Sequence, residues 1–450
     1  MFPRVARASL LDSLRFNLCH VVPMALQGVF RKRPFWVKFF GKLHPDPLGR
    51  RFVARLRAKY HTPFVDLRML ATRTRLVLDA AAMQYVLEHS PDAYADPKSK
   101  RAGMSVFQPN AVTISRLPPW AVRRWFNATV LAAGVNSPLD AHFVGAMREE
   151  VSRWHARDPA RLVWSDLQEL FDRLTLRVVF GDGATDDRDL LRALDALMRA
   201  ANRVLFRRRP TGAFEALNNG IGRYLAAGDP KSLIGVAAQL LRSPHLWPDG
   251  VVPAPEVLRA ENQVPHWLFA MKDTLAANTA FALALLAAHP AIRARAWAPP
   301  RDRPTLAPDL HGAHLLEGCV QEAMRLWPTT PMLLREATCA GVLGDVHGPG
   351  LQVLIWNAAN HRDAAVVPNP DRFDPDRWAP GGPIWQMNHL SNGRQGCAGK
   401  ALALFLAKAV LAEVFGRVNV NLLHPALVPG GTLPETFDWF AFDATTAPVT

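Results

Sequence analysis

Cysteine is scarce in this chain. Four cysteines occur among 450 residues, and they stand far apart, at Cys19, Cys319, Cys339 and Cys397. No two of them have the close spacing of a metal site, and so few cysteines in a large chain are typical of a reducing compartment. This scarcity argues against a disulfide-stabilised secreted scaffold and predicts a cytoplasmic location.

Acidic residues are outnumbered, 39 against 53 basic ones, which gives a formal net charge of +14. The excess is strong in the first 60 residues, for example at Arg31, Lys32, Arg33, Lys38 and Lys42. Such a balance suits nucleic acid, an anionic membrane or an acidic protein partner. Because no zinc-finger spacing or nucleic-acid fold signature accompanies it, we expect no nucleic-acid partner. The alternative is a solvated, arginine-rich surface.

Long apolar runs are also lacking. Residues 19–30 are apolar but short, are interrupted by Pro23 and have no signal-cleavage site. Residues 274–292 lack Asp, Glu, Lys and Arg but contain Asn278 and Pro290, so we expect a buried helix there rather than a membrane span. The basic N-terminal stretch predicts peripheral membrane contact, and an ordinary packed N-terminal helix is the alternative.

Helical periodicity dominates the rest of the chain, and strand patterns are few. We predict a mainly α protein with a small β region. The expected helical segments are 79–240, 264–288, 312–327 and a last helix from Cys397 to about Phe415. The expected strands form a hairpin at 64–78, with a basic Thr-Arg-Thr-Arg turn, and a second group at 341–356; residues 361–396 are expected to form an irregular loop.

Cys397 has a distinctive setting. It follows Gly393 and Gly396, which allow a tight turn and close approach to a flat ligand, and it precedes an apolar helical stripe. At a helix N-terminus, the positive end of the dipole stabilises a thiolate. A thiolate in this place is suited to hold an iron ion, although a lone cysteine is more often a small buried apolar residue.

Glu322 and Arg325 lie three positions apart on the predicted helix 312–327, so their side chains can pair. The flanking residues are apolar, which predicts that the pair is buried and needs a further partner. Arg372, on a proline-bounded loop, is the expected partner that fixes the loop carrying Cys397.

In sequence order, these motifs are Glu-x-x-Arg at Glu322, Pro-x-Arg-Phe at Pro370 and Gly-x-x-x-Cys-x-Gly at Gly393. Together they resemble those of the cytochrome P450 superfamily. The resemblance implies a cytochrome P450-like fold and a single, stand-alone heme domain over 1–450. Its small β-rich lobe would lie near 60–80 and 335–390.

The resemblance also implies heme b as the cofactor, with Cys397 as the axial ligand of the iron. Glu322, Arg325 and Arg372 would be the structural triad, which supports the heme loop without chemistry of its own. The residues implied to contact the heme are Trp120, Arg124, Arg335, Gly393, Arg394, Gln395, Gly399 and Ala270. Trp120, Arg124 and Arg335 match propionate-binding positions, which suit arginine because it binds carboxylates through paired hydrogen bonds.

On the opposite side of the heme, Asp273 and Thr274 match the acid and alcohol that supply protons during oxygen activation. One helical face carries both of them, together with Ala270, Ala277, Asn278 and Phe281. The alternative is that Thr274 bonds its own helix and Asp273 pairs with Lys272. The sequence departs from the family at Met271, Leu390 and Gln395, where glycine, an aromatic residue and arginine are usual.

The implied function is a monooxygenase that inserts one oxygen atom of dioxygen into an apolar small molecule. Its electrons would come from a separate ferredoxin or flavodoxin, because no second redox domain is recognisable in the chain. Two alternatives remain open. One is peroxide-driven or non-insertion chemistry (desaturation, coupling or rearrangement), suggested by Met271. The other is heme binding without turnover.

Overall fold

The computed structural model describes residues 5–43, 46–203, 208–300, 303–339, 349–379 and 385–449. Helices dominate, as the sequence predicts. In chain order they are α1 (Leu10–Phe16), α2 (Val22–Gln27), α3 (Pro34–Leu43), α4 (Asp46–Tyr60), α5 (Ala80–Glu88), α6 (Lys98–Met104), α7 (Pro119–Ala132), α8 (Pro138–Arg157), α9 (Trp164–Phe180), α10 (Arg188–Ala201), α11 (Thr211–Ala227), α12 (Leu233–Arg242), α13 (Pro255–Leu258), α14 (Val264–Phe269), α15 (Ala276–Ala288), α16 (Pro290–Ala296), α17 (Ala307–His311), α18 (His314–Leu326), α19 (Asn357–Asn360) and α20 (Lys400–Arg417).

The strands are short: β1 (Ala6–Arg7), β2 (Phe64–Met69), β3 (Thr72–Val77), β4 (Tyr94–Ala95), β5 (Arg161–Val163), β6 (Leu333–Ala337), β7 (Gln352–Ile355), β8 (Val418–His424) and β9 (Asp443–Pro448). They form a six-stranded sheet, in the order β1-β2-β3-β7-β6-β4, and a three-stranded sheet, in the order β5-β9-β8. The larger sheet joins segments that are distant in sequence, because β3 pairs in parallel with β7. This confirms the expected mainly α fold with a small β region.

The predicted hairpin is present as β2 and β3, but its turn differs from the prediction. Met69 pairs with Thr72, so the turn is Leu70-Ala71. The Thr-Arg-Thr-Arg run lies inside β3, where Arg75 is buried and pairs with Asp66 at 2.8 Å. Because this ion pair is buried within the sheet, it favours the strand conformation for the basic run. The strands predicted within 341–356 are represented by β7, and residues 341–348 lie outside the described residues.

Both faces of the larger sheet are buried. Val65, Leu76 and Leu354 pack on one face against the N-terminal helices. Phe64 and Ile355 pack on the other face, together with α5. The largest apolar cluster fills the helical part of the molecule. This double burial fixes the sheet beside the helical core, and β6 carries Arg335 at that junction.

Residues 264–288 form one long helical segment, as expected, but it is not uniformly α-helical. A π-helical turn at Ala270–Leu275 separates α14 from α15. Residues of α15 from Ala276 to Leu286 are buried, as predicted for this apolar stretch. Within the described residues, no single helix has the length and apolarity of a membrane span; only the bent pair Pro255–Ala288 and Pro290–Ala296, angled at 113°, passes that test together.

Candidate heme site

The loop before α20 is held in a tight conformation around Cys397. The backbone N–H of Cys397 donates to the Leu390 carbonyl at 2.8 Å, and that of Gly396 donates to the Gly393 carbonyl at 3.0 Å. Gly393 has φ +73°, and a Cβ there would lie 2.3 Å from the Leu87 carbonyl oxygen. A larger residue therefore cannot replace Gly393 without moving α5, as the sequence predicts for a close backbone turn.

Cys397 has exposed surface, although protein atoms surround it. The thiol therefore has an accessible side at which a ligand can reach the sulfur. Burial raises the pKa of the Cys397 thiol, while the Gly399 N–H and the Arg124 and Lys400 cations oppose that rise. Helix α20 begins at Lys400, so the thiol lies just before the first turn, close to the predicted position.

The Glu322–Arg325 pair is fully buried, and its two charged groups form hydrogen bonds of 2.7 and 2.8 Å. The third member differs from the prediction. Arg377 donates to Glu322 at 3.2 Å, whereas Arg372 is exposed and offers only its backbone carbonyl to Arg325. The motif occurs twice in succession, and the second copy supplies the buried guanidinium.

Glu322 and Arg325 also form further hydrogen bonds with neighbouring residues. Trp378 Nε1 donates to Glu322 at 3.0 Å, and so does the backbone N–H of Asp374 at 3.2 Å. Arg325 donates to the backbone carbonyls of His361 and Pro370, each at 2.8 Å. A buried ion pair is stable only when such further hydrogen bonds satisfy it. This network ties α18 to the irregular loop that leads to Cys397.

His361 continues that network toward the cysteine loop, and sequence reasoning gave it no role. Its Nε2 accepts from the Asn388 N–H at 2.8 Å, so Nδ1 carries the proton and faces the Arg325 carbonyl at 3.1 Å. Asn388 Oδ1 then accepts from the Asn392 N–H at 2.6 Å. The only signal in the sequence was the position of His361 in the segment that resembles the family's connecting region.

Four arginines keep a buried Nε atom with no partner among the described residues: Arg101, Arg116, Arg335 and Arg417. Arg335 on β6 is buried, contacts Asp96 at 3.5 Å, and keeps an Nε atom with no partner among the described residues. Arg101 on α6 likewise keeps a buried Nε atom with no partner in the part of the chain that the structure describes. Burial lowers the pKa of Arg335, because its charge is only partly compensated. Arg101 was not a sequence-based candidate.

The other proposed propionate contacts are placed differently. Arg124 donates to the Gly396 carbonyl, so it braces the cysteine loop. Trp120 is buried, with the Arg394 guanidinium 5.9 Å above its ring. Arg394 is half-exposed and pairs with Asp92, which argues against its predicted contact with the heme. Gln395 keeps a buried Oε1 atom without a donor among the described residues.

Five partly exposed residues of the helical segment 264–288 recur at helical spacing on one face, while most of their neighbours are buried. They are His266, Phe269, Ala270, Asp273 and Thr274. The predicted face thus holds for Ala270, Asp273 and Thr274. Ala277, Asn278 and Phe281, predicted on the same face, are buried; Phe281 packs on Trp327 and Phe437.

Asp273 lies in a cluster of charges. Its Oδ1 atom accepts from Arg31 at 2.5 Å and from Lys272 at 3.1 Å, whereas its Oδ2 atom is buried with no partner among the described residues. Asp195 also contacts both cations. The predicted alternative pairing with Lys272 is therefore present. For Thr274 no hydrogen bond to its own helix occurs in the described part of the chain.

Met271 does not close the helix. Its side chain is buried in the main core, and the π-helical turn begins at its neighbour Ala270. Such turns widen a helix locally and are frequent at functional sites. Met271 therefore lies within the π-helical turn, at the position where the family usually has glycine.

Residues 258–428 match the Cytochrome P450 family model. This part of the chain is similar to the cytochrome P450 superfamily. Members of this family bind heme b through a cysteine thiolate. Buried Arg335 and Arg101 Nε atoms and a cysteine with an accessible side fit such a group.

Two curated relatives each match part of the chain. Cytochrome P450 4c3 of Drosophila melanogaster is 28% identical over 185 residues, which cover 38% of this chain and 34% of that protein. Cyclooctat-9-en-7-ol 5-monooxygenase of Streptomyces melanosporofaciens is 30% identical over 182 residues, 38% of each. The matched stretch thus spans little more than a third of the length of these relatives.

The fold likeness extends further than the sequence likeness. The solved structure of retinoic acid bound cyanobacterial CYP120A1 superposes with a TM-score of 0.71 at 17% identity, over 88% of this chain and 94% of that one. This agreement establishes the cytochrome P450 fold for most of the chain.

Proposed function

We propose that this chain is a heme-thiolate monooxygenase that inserts one oxygen atom of dioxygen into an apolar small organic molecule. The observation that carries the proposal is Cys397, whose accessible thiol lies on a loop braced by Arg124. A heme bound there through a thiolate supplies the oxygen chemistry, since that ligation favours cleavage of the O–O bond. A relative named as a monooxygenase supports this reading.

In this proposal Cys397 ligates the iron, and Arg335 and Arg101 bind the propionates through their free Nε–H groups. The third member of the triad is Arg377, and not Arg372. On the other side, Arg31 and Lys272 orient the Asp273 carboxylate through one oxygen. The other oxygen is buried without a partner among the described residues, and in this proposal it takes part in proton supply together with Thr274.

The decisive test is the absorbance spectrum of the reduced, carbon monoxide-bound protein. We expect the red-shifted Soret band of a thiolate-ligated heme, and its loss in Cys397→Ala. Cys19→Ala, which removes a cysteine of the N-terminal helices, is the matched control and should keep the band. An unchanged band in Cys397→Ala would refute the assignment of the ligand.

The peroxide-driven alternative is distinguished by Thr274. If Thr274 supplies protons during dioxygen activation, Thr274→Ala should lose most of its reductase-dependent product, since such proton transfer typically contributes about 100-fold or more. Full turnover with hydrogen peroxide, no reductase and no effect of this substitution would favour the alternative. Heme binding without turnover predicts that no ligand shifts the iron from low to high spin.

We propose that an acidic ferredoxin or flavodoxin delivers the electrons at the surface around Arg394 and Lys400. Both residues are exposed beside the cysteine loop, and opposite charge steers encounter at low salt. Arg394→Glu with Lys400→Glu should slow reduction of the heme and weaken its salt dependence. Arg192→Glu, an exposed reversal on α10, is the control. Equal rates in both variants would contradict this docking surface.

We also propose that the N-terminal helices rest on an anionic membrane surface. Exposed apolar side chains follow the helices from α1 to α3 and the hairpin tip; they are Leu10, Leu11, Leu14, Leu18, Val22, Phe35, Phe39, Leu43 and Leu70. Asn17 holds that tip, because it accepts from the Leu70 N–H at 2.7 Å. Exposed Arg15, Lys38 and Lys42 add positive charge beside them.

Flotation with phosphatidylserine-containing vesicles tests the membrane contact. Wild-type protein should float, and Phe35→Ser with Phe39→Ser should remain in the soluble fraction. Leu246→Ser, an exposed apolar residue outside these helices, is the control. Flotation that survives the double substitution would refute this surface. We propose a cytoplasmic location for the body of the protein, in keeping with four unpaired cysteines among the described residues.

A further inference from the structure

A cleft of about 330 Å³ lies between α4 and the segment that begins with α19. This volume is sufficient for a small ligand. One wall is a single face of α4, where Arg50, Ala54 and Arg57 recur at helical spacing. The opposite wall includes Arg362 and Asp363, which follow α19. None of the residues that line the cleft belongs to the Cys397 loop or to the helical segment 264–288, so it is a separate site.

The cleft is rich in positive charge. Four of the side chains that line it are arginines: Arg50, Arg51, Arg57 and Arg362. Within the part of the chain that the structure describes, three carboxylates contact these guanidinium groups: Asp363, Asp371 and Glu435. One positive charge is therefore left without a counterion at this site.

Two of the arginines have donors to spare. Arg51 is exposed and makes no ion pair or hydrogen bond among the described residues. Arg57 donates through Nε to the Leu78 carbonyl at 2.6 Å and through Nη1 to Asp363, which leaves its Nη2 without an acceptor among the same residues. The cleft thus offers free N–H groups as well as uncompensated charge.

The other two arginines are fixed in place by Asp371. Arg50 donates to both oxygens of that carboxylate, at 3.1 and 2.8 Å, and Arg362 donates to it at 2.9 Å. Arg362 also donates to three backbone carbonyls. Burial lowers the pKa of Arg362 to about 10, although Asp371 opposes that fall. Because the cost of burying this cation is only partly offset, a further anion in the cleft would be favourable.

We propose that this cleft binds a phosphate-bearing anion, held by Arg51 and Arg57 and attracted by the charge of Arg50 and Arg362. Phosphate suits these groups because a guanidinium binds its oxygens through paired hydrogen bonds. The small side chain of Ala54, on the wall between Arg51 and Arg57, leaves room for it. A soluble molecule and a lipid headgroup can both supply this chemistry. The site is independent of the proposed function, since it uses no residue assigned to the heme.

Calorimetric titration of the purified full-length protein with inorganic pyrophosphate, at low salt, tests for a soluble ligand. Arg51→Gln should raise the dissociation constant at least about tenfold, as expected for the loss of one charge-assisted contact. Ala54→Glu places a carboxylate in the cleft and should abolish binding, whereas Ala54→Gln should retain it. Arg55→Gln is the matched control, because Arg55 is an exposed arginine of α4 outside the cleft.

Flotation with phosphatidylcholine vesicles that contain phosphatidic acid tests for a lipid headgroup. Every protein in this assay also carries Phe35→Ser and Phe39→Ser, so that the membrane surface proposed for the N-terminal helices does not contribute. Flotation that is lost in Ala54→Glu and kept in Arg55→Gln would identify a lipid headgroup as a ligand. Pyrophosphate binding without such flotation would identify a soluble ligand.

Arg51→Gln removes a side chain without a partner among the described residues, so the fold should survive it, and circular dichroism reports this directly. Absence of binding in both assays would overturn the proposal. Equal binding by wild-type protein, Arg51→Gln and Ala54→Glu would also overturn it, because the anion would then be held elsewhere.

Discussion

Glu322 is the residue on which the architecture around Cys397 depends. Its two carboxylate oxygens accept from Arg325, Arg377, Trp378 and the Asp374 backbone. A buried carboxylate left without these donors would cost several kcal/mol. The residue itself does no chemistry; it orders the loop that presents the cysteine.

The two neighbouring arginines give a matched pair of substitutions. Arg377→Leu should lower the free energy of unfolding by about 3 kcal/mol, because it removes a buried charge partner of Glu322. Arg372→Leu should change it by no more than about 0.5 kcal/mol, because that side chain is exposed. Urea unfolding and heme content after purification measure both. The reverse order of effects would restore Arg372 as the third triad member.

The sequence could predict the cysteine, the Glu322–Arg325 pair and the need for a third arginine. It could not choose between Arg372 and Arg377, because the Pro-Asp-Arg-aromatic pattern stands twice, at Pro370 and Pro375. The choice depends on which loop segment packs on α18. Arg101 and His361 escaped prediction for the same reason, since their roles arise from contacts distant in sequence.

At the scale of elements, the apolar spacing of residues 264–288 predicts a helix but does not predict the irregular turn within it. Apolar spacing predicts one helix over 264–288, and the structure has a π-helical turn within it. Lys272 lies in that turn, and its buried ammonium contacts Asp195 and Asp273, each at 3.1 Å. Partners on other elements help to fix this turn, so the sequence of the helix alone could not predict it.

Lys272→Met tests how much that charge cluster stabilises this helical segment. Lys272 contacts the carboxylates of Asp172, at 3.8 Å, Asp195 and Asp273. The substitution leaves these three with Arg31 as their main cation, and we expect a loss of about 3 kcal/mol in the free energy of unfolding. Burial raises the pKa of Asp172 to about 6 even in the intact cluster. Adding Asp195→Asn should recover part of the loss, since it removes one of the uncompensated charges.

Urea unfolding measures these free energies, and the exposed residue Lys231 provides the control. Lys231→Met should change the stability by no more than about 0.5 kcal/mol. If Lys272→Met left the free energy of unfolding unchanged, the charge cluster would orient its side chains without stabilising the fold. In that case the Thr274→Ala comparison would still report on proton supply.

At the scale of the whole molecule, the N-terminal helices join the sheet through a core of their own. Phe16, Phe52 and Trp356 meet there, and His20 lies among their rings, 4.6 Å from Trp356. Sequence reasoning predicted the sheet but not this core, because its members come from both ends of the chain.

His20 makes the stability of this core depend on pH. Burial lowers the pKa of His20 to about 4, while an unfolded histidine titrates near about 6.5. As pH falls below that value, the unfolded state binds a proton that the folded state refuses, so stability is lost on acidification. Between pH 7.5 and 5 this amounts to about 2 kcal/mol, from 1.36 kcal/mol for each unit.

His20→Phe keeps an aromatic ring in place and removes the titrating group. The free energy of unfolding of this variant, relative to wild-type protein, should therefore rise by about 2 kcal/mol when the pH is lowered from 7.5 to 5. Phe16→Leu alters packing in the same core without removing a proton site, so its effect should be equal at both pH values. Other groups titrate in both proteins and cancel in the difference. A His20→Phe difference that stays constant with pH would show that the imidazole is protonated inside this core.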